Sequence, residues 1–180
     1  ASQVPEANRA RIDGTFALDG ALRWPEGGIE LRPQLAVRSV AGLGTERLRE
    51  GTIPGCGSAR PVRGGRAWRH LREAAIAAED QRFRMHPGYD LVELEASLAR
   101  NLAGAQAERG ASTITQQLAR VVYTGADRTL SRKLRELLYA AEMERTLGKD
   151  RILDAYLAVA PWASGGCGAE AAARTAFAKP

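Results

Sequence analysis

The chain has 180 residues, enough for one domain with a buried core. Hydrophobic residues make up 44% and charged residues 26%, which excludes a disordered or collagen-like chain. The net charge of +5 and a pI of about 9.7 point to an anionic partner: nucleic acid, an acidic membrane surface or a phosphorylated ligand. No apolar run approaches the roughly 18 residues of a spanning helix, and the N-terminus lacks the three parts of a signal peptide. Two readings stay open, a soluble protein or one whose anchor lies elsewhere. Cys56 and Cys167 both sit among glycines. They read as a disulfide pair in an oxidising compartment or as two unrelated small core residues.

Residues 1–50 read as a β-rich accessory segment. From Ile12 to Trp24 the even positions are Ile12, Gly14, Phe16, Leu18, Gly20, Leu22 and Trp24, and the odd ones are polar or small. Period two predicts a half-buried strand, although Asp19-Gly20 also suits a hairpin turn. Pro25-Glu26-Gly27-Gly28 is a turn, and Ile29, Leu31, Leu35 and Val37 alternate again around Pro33. A β meander or β ribbon is expected. Residues 51–66, crowded with glycine and proline, read as a linker. Residues 67–180 then carry helical spacing in about five segments, with glycines between them.

Five strings in this helical part carry chemistry. In Glu79-Asp80-Gln81-Arg82-Phe83-Arg84-Met85-His86-Pro87-Gly88 an acidic pair ends an apolar helix, a place suited to acid–base work. From pattern alone the plainer reading, a polar helix end before a loop, is the favoured one. Gly110-Ala111-Ser112-Thr113-Ile114-Thr115-Gln116-Gln117 reads, taken alone, as a capped helix and nothing more; its N–H groups would also suit an anion and its amides sugar hydroxyls. Arg128, Arg132, Lys133, Arg135 and Glu136, with Arg120 before them, form a basic cluster around one carboxylate. That suits a pyrophosphate, or a solvated face with internal salt bridges. Lys149 to Leu157 is an amphipathic helix, and Gly166 to Ala173 is a glycine-rich start to an alanine-rich helix. The latter fits a dinucleotide fingerprint formally, but no strand precedes it. Histidines 70 and 86 give no zinc spacing, and no Ser-x-x-Lys occurs.

In this order the strings resemble the peptidoglycan glycosyltransferase family, the transglycosylase domains of class A penicillin-binding proteins and of monofunctional transglycosylases. The resemblance implies a mainly α, lysozyme-like domain behind the small β-rich segment, with further helix beyond Pro180. It implies polymerisation of lipid II, transferring the donor MurNAc C1 to the acceptor GlcNAc 4-hydroxyl with inversion as undecaprenyl pyrophosphate leaves. Glu79 and Glu136 are then the expected catalytic carboxylates. Asp80, Phe83, His86, Ser112, Thr113, Gln116, Gln117, Arg120, Arg128, Arg132 and Lys133 are the expected substrate-binding residues. A divalent metal, Mg²⁺ or Mn²⁺, is expected to help, with no ligand set visible and no organic cofactor. The expected partners are lipid II, the nascent glycan strand, the membrane surface and other cell-wall synthesis proteins, with no nucleic acid. The expected place is the bacterial cell envelope, at the periplasmic face of the inner membrane.

The segment from Tyr89 to Arg109 falls where the family has a mobile, membrane-contacting jaw. Leu91, Leu94, Leu98 and Leu102 then face either lipid or the core. Ala158 stands where the family has asparagine, Ala176 and Ala178 flank Phe177, and Arg120 replaces a lysine. The alternative is therefore an impaired family member that binds lipid II or a partner without turnover. A hydrolase of finished glycan is a further reading.

Overall fold

The computed structural model describes residues 4–23, 25, 27–49, 53, 65–102, 111–127, 129–162 and 168–178. It is mainly helical, with one two-stranded antiparallel sheet at the N-terminal end. Strands β1 (Arg11–Arg23) and β2 (Gly28–Ala41) form the sheet. The helices are α1 (Gly65–Glu79), α2 (Leu91–Leu102), α3 (Ile114–Ala119), α4 (Leu130–Thr146), α5 (Lys149–Val159) and α6 (Gly168–Phe177). Both cysteines, Arg128 and most of the 51–66 linker lie outside the described residues. Among the described residues no helix is long and apolar enough to cross a membrane.

Helix α5 is the hub. Every residue from Ile152 to Ala160 is buried, and α1, α3, α4 and α6 all touch it. Phe83, Ile114, Leu118, Met143, Ile152, Leu153 and Leu157 are fully enclosed around it. Gly148 has φ 74°, a left-handed value, and lets the chain turn tightly between α4 and α5. Gly168 has φ 80°, and a Cβ there would stand 2.1 Å from the Ala158 carbonyl oxygen. Only glycine lets α6 start so close to α5.

The N-terminal strands are one ribbon. The pairing runs without a break from Ile12↔Val40 to Arg23↔Gly28, with a single bulge at Asp13/Gly14. Asp19-Gly20 is therefore mid-strand, not a hairpin turn. The expectation of a half-buried strand is corrected: Ile12, Phe16, Leu18 and Leu22 are at least half exposed. The reason is that β2 makes the contacts to α2 and α4, while the main partner of β1 is β2 itself. From the end of β2 onward, Val40, Leu43, Leu48 and Ile53 join the same core as the helices. Glu142 on α4 accepts from the backbone N–H groups of Leu43 (3.0 Å) and Thr45 (3.4 Å).

Glu6 fastens the first turn to α4. It is buried and accepts from Arg135 Nε at 2.8 Å. Burial alone pushes its pKa up, but the Arg135 guanidinium, its own backbone N–H and the Tyr139 hydroxyl outweigh burial and hold it below 4.5. Its stabilising contribution is thus complete above the ordinary carboxyl value and fades as pH falls through the lower folded value. Urea unfolding of wild type and Glu6→Gln is expected to show a stability gap near neutral pH that narrows below about pH 4.5. A gap that stays constant down to about pH 3 contradicts this linkage.

Candidate active site

The site begins at the end of α1. Arg72 on that helix donates to Asp154 and, at 2.5 Å, to Asp150, and Trp68 Nε1 donates to Asp154 at 3.3 Å, so α1 is pinned to α5. The last helical residue, Glu79, is exposed, and the next, Asp80, is buried. Asp80 Oδ2 accepts from the backbone N–H of Ile114 at 3.0 Å. Both of its oxygens also lie 3.0 Å from His86 Nε2. The Gly88 N–H donates to His86 Nδ1 at 3.1 Å, so Nδ1 is an acceptor and the ring proton sits on Nε2, facing Asp80. Asp80 thereby joins the end of α1 to the start of α3, and Glu79 is left facing outward.

Helix α3 begins with a capping box. Thr113 Oγ1 accepts from the Gln116 N–H at 3.1 Å, and Gln116 Oε1 accepts from the Thr113 N–H at 3.1 Å. Thr113 Oγ1 also donates to the Gly88 carbonyl at 2.7 Å. Beside the cap, Lys133 Nζ donates to Ser112 Oγ at 2.5 Å and pairs with Glu136 at 2.9 Å. Arg132 donates to the other oxygen of Glu136 and to the Asp127 carbonyl. Arg120 opens a wide π turn, Arg120–Thr124, directly after α3. Such turns are concentrated at functional sites. Arg120 and Glu79 both lie close enough to the Tyr156 hydroxyl to act on its charge, and among the described residues Arg120 has no ion-pair partner.

Glu79 stands where two clefts meet. One, of about 430 Å³, is lined by Glu79, Asp80, Arg82, Asp90, Ser112 and Thr113 among others. The second, of about 570 Å³, is mostly apolar and runs past Leu71, Ala75, Ala78, Tyr156 and Trp162. The first is rich in carboxylates, and its guanidinium, Arg82, is paired with Asp90 at 2.8 Å. The cations Lys133 and Arg132 lie behind Ser112, so charge is divided across the site.

Of the residues expected at the site, Glu79, Asp80, Ser112 and Thr113 line the first cleft, and Gln117 touches Glu79. Phe83 and His86 are not among the residues that line it. Phe83 is fully buried under Lys149, whose Nζ lies 4.5 Å from the ring centre, and His86 is enclosed by Asp80 and Gly88. Their work is to hold the loop after Glu79. Glu136 is also buried, with both oxygens engaged by Arg132 and Lys133, and so reaches the cleft only through Lys133. Gln116 is committed to the cap, and Arg135 turns away to Glu6. The first cleft also uses Asp90, whose side chain caps α2 by accepting from Val92 and Glu93. On α2 itself Val92 and Leu94 are exposed, while the side chains of Leu98 and Leu102 lie outside the described residues.

The sequence marks Lys149 and Tyr156 as members of one helical string and assigns neither a role at the site. Tyr156 OH donates to Gln117 at 3.2 Å, and Lys149 Nζ donates to the His86 carbonyl (2.6 Å) and to Glu144 (2.8 Å). The available signal was chemical: a phenol or ammonium in a buried helix requires a polar partner. Among the described residues no three His, Cys, Asp or Glu side chains converge, and Glu136 is already saturated.

The family model described as Transglycosylase matches residues 58–180. The chain is 40% identical over 150 residues to a biosynthetic peptidoglycan transglycosylase of Ectopseudomonas mendocina, covering 79% of this chain and 62% of that protein. A protein of the same description from Pseudomonas entomophila is 36% identical over 167 residues, 89% of this chain and 70% of the relative. Another, from Nitrosomonas eutropha, is 43% identical over 111 residues, 62% of this chain and 46% of the relative. The chain thus spans less than two thirds of the first and last of these proteins. The matched region contains every element that builds the cleft around Glu79, and on that shared ground the chain belongs to the transglycosylase family.

Proposed function

We propose that this domain polymerises lipid II into peptidoglycan glycan strands, with Glu79 as the general base. The observation that carries the reading is the position of Glu79: an exposed carboxylate lining two clefts, with a cation cluster anchored on Glu136 that reaches the first cleft's Ser112 through Lys133. Glu79 takes the proton from the acceptor 4-hydroxyl as that oxygen bonds to the donor MurNAc C1. The bond from C1 to the pyrophosphate breaks on the opposite face, and the diphosphate leaves with the electron pair. Its growing charge is the larger electrostatic demand. Lys133, half exposed beside Ser112, and Arg120 supply the neutralisation. Arg132 and Glu136 hold Lys133 in place. Arg128 joins the cations by resemblance alone.

The pyrophosphate belongs on the Lys133 side, because the first cleft's carboxylates repel it. The acceptor sugar belongs on the Glu79 side, where carboxylates and hydroxyls suit sugar hydroxyl groups. The lipid-linked substrate places the work at a membrane surface of the cell envelope, on its periplasmic face. Ala158 in place of the family asparagine favours a second reading, binding without turnover. It is buried in α5, where Gly168 packs on it.

Labelled lipid II in detergent separates these readings. Wild type is expected to form glycan polymer, and Glu79→Gln to lose about 10²–10⁴-fold in rate while still binding lipid II. Equal product from both proteins removes Glu79 as the base, and tight binding without polymer supports the second reading. Glu136→Ala leaves Arg132 and Lys133 without their carboxylate, so it is expected to cost about 3–5 kcal/mol of stability in urea unfolding as well as activity. Lost activity with unchanged stability would instead place Glu136 against substrate.

A further inference from the structure

We propose that Tyr156 is a positioning residue for Glu79, acting through the side-chain amide of Gln117. The inference rests on the reading of Glu79 as the base. Three elements contribute one side chain each: Glu79 ends α1, Gln117 lies on α3 and Tyr156 on α5. Tyr156 OH donates to Gln117 Oε1 at 3.2 Å, and Gln117 Nε2 donates to Glu79 Oε2 at 3.1 Å.

A glutamine amide has one accepting end and one donating end. With its oxygen toward Tyr156, its NH₂ must face the carboxylate, and both contacts are satisfied. Turned over, the amide would set its oxygen against the oxygens of Glu79. The phenol therefore has to remain a donor. Burial pushes the Tyr156 pKa up to about 12, with the Glu79 charge adding to the rise and Arg120 opposing it. The hydroxyl keeps its proton at any working pH.

Both supports of the amide are firm. Tyr156 is buried in the hub helix, and Gln117 sits on a helix fixed by its capping box and by Asp80. Glu79 is the loose member, an exposed side chain at a helix end with several rotamers open to it. One hydrogen bond from a rigid amide selects among them. It turns one carboxylate oxygen toward Gln117 and leaves the other for the acceptor hydroxyl. The general gain from such orientation is a lower barrier with little change in ground-state binding.

The test compares wild type, Tyr156→Phe, Gln117→Leu and the double variant in lipid II polymerisation. Tyr156→Phe keeps the ring and its packing. It is expected to lower kcat about 5–10-fold, the scale of one hydrogen bond, with KM within about twofold and an unchanged melting temperature. Gln117→Leu is expected to lose at least as much, and the double variant no more than Gln117→Leu alone. An unchanged kcat in Tyr156→Phe, or losses that multiply in the double variant, overturns the proposal. A second readout needs no turnover: the Gln117 side-chain NH₂ pair in ¹⁵N–¹H spectra, assigned by its absence in Gln117→Leu. It is expected to shift in both Tyr156→Phe and Glu79→Gln, and indifference to either change overturns the contact chain. If wild type forms no polymer while the pair still shifts in both variants, the polymerase reading fails and the contact chain stands.

Discussion

Asp80 accepts at once from the Ile114 backbone N–H and from His86 Nε2, and the geometry of the site follows from that commitment. The first N–H groups of a helix have no partner within it, and a buried one costs free energy unless something accepts from it. Asp80 supplies that acceptor at α3 from the end of α1. Its own charge is offset by the two donors and by the positive end of the α3 dipole. Adjacent residues then do opposite things: Asp80 points in and locks two helices, while Glu79 points out into the clefts. The anion expected at the start of α3 is therefore the protein's own carboxylate.

A second commitment, at Glu136, acts on the cations. Arg132 and Lys133 are held by one buried carboxylate, and Lys133 reaches forward to Ser112. A flexible ammonium is thereby given a fixed address behind the Ser112–Thr113 cap. The two halves of the site meet across a few residues of α3's cap, with carboxylates on one side and cations on the other. Such a division suits a reaction that must remove a proton at one end and stabilise a departing diphosphate at the other.

The parts legible from sequence were those set by local pattern. Period two marked the ribbon, and helical spacing with intervening glycines marked the helices. Ser112-Thr113 ahead of Ile114 marked a cap that the structure contains. Two of the ordered strings, those holding Glu79 and Ser112, line one cleft. What sequence left hidden was depth. Phe83 and His86 share a motif with Glu79, yet they lie beneath it, because a loop that presents one side chain outward must bury others to stay fixed. The partnership of Tyr156 with Gln117 spans 39 residues, and no spacing rule couples positions that far apart. The ribbon's exposed apolar side chains were hidden for a related reason, since alternation shows which residues share a face but not what covers it.

The most direct measurement is a crystal structure of the domain with an unreactive lipid II analogue. The account predicts the acceptor 4-hydroxyl within about 2.6–3.2 Å of a Glu79 oxygen, with the diphosphate on the far side of the Ser112–Thr113 cap against Lys133 and Arg120. A diphosphate lodged among Asp90, Arg82 and Glu79, or an acceptor hydroxyl facing a different group, would contradict it.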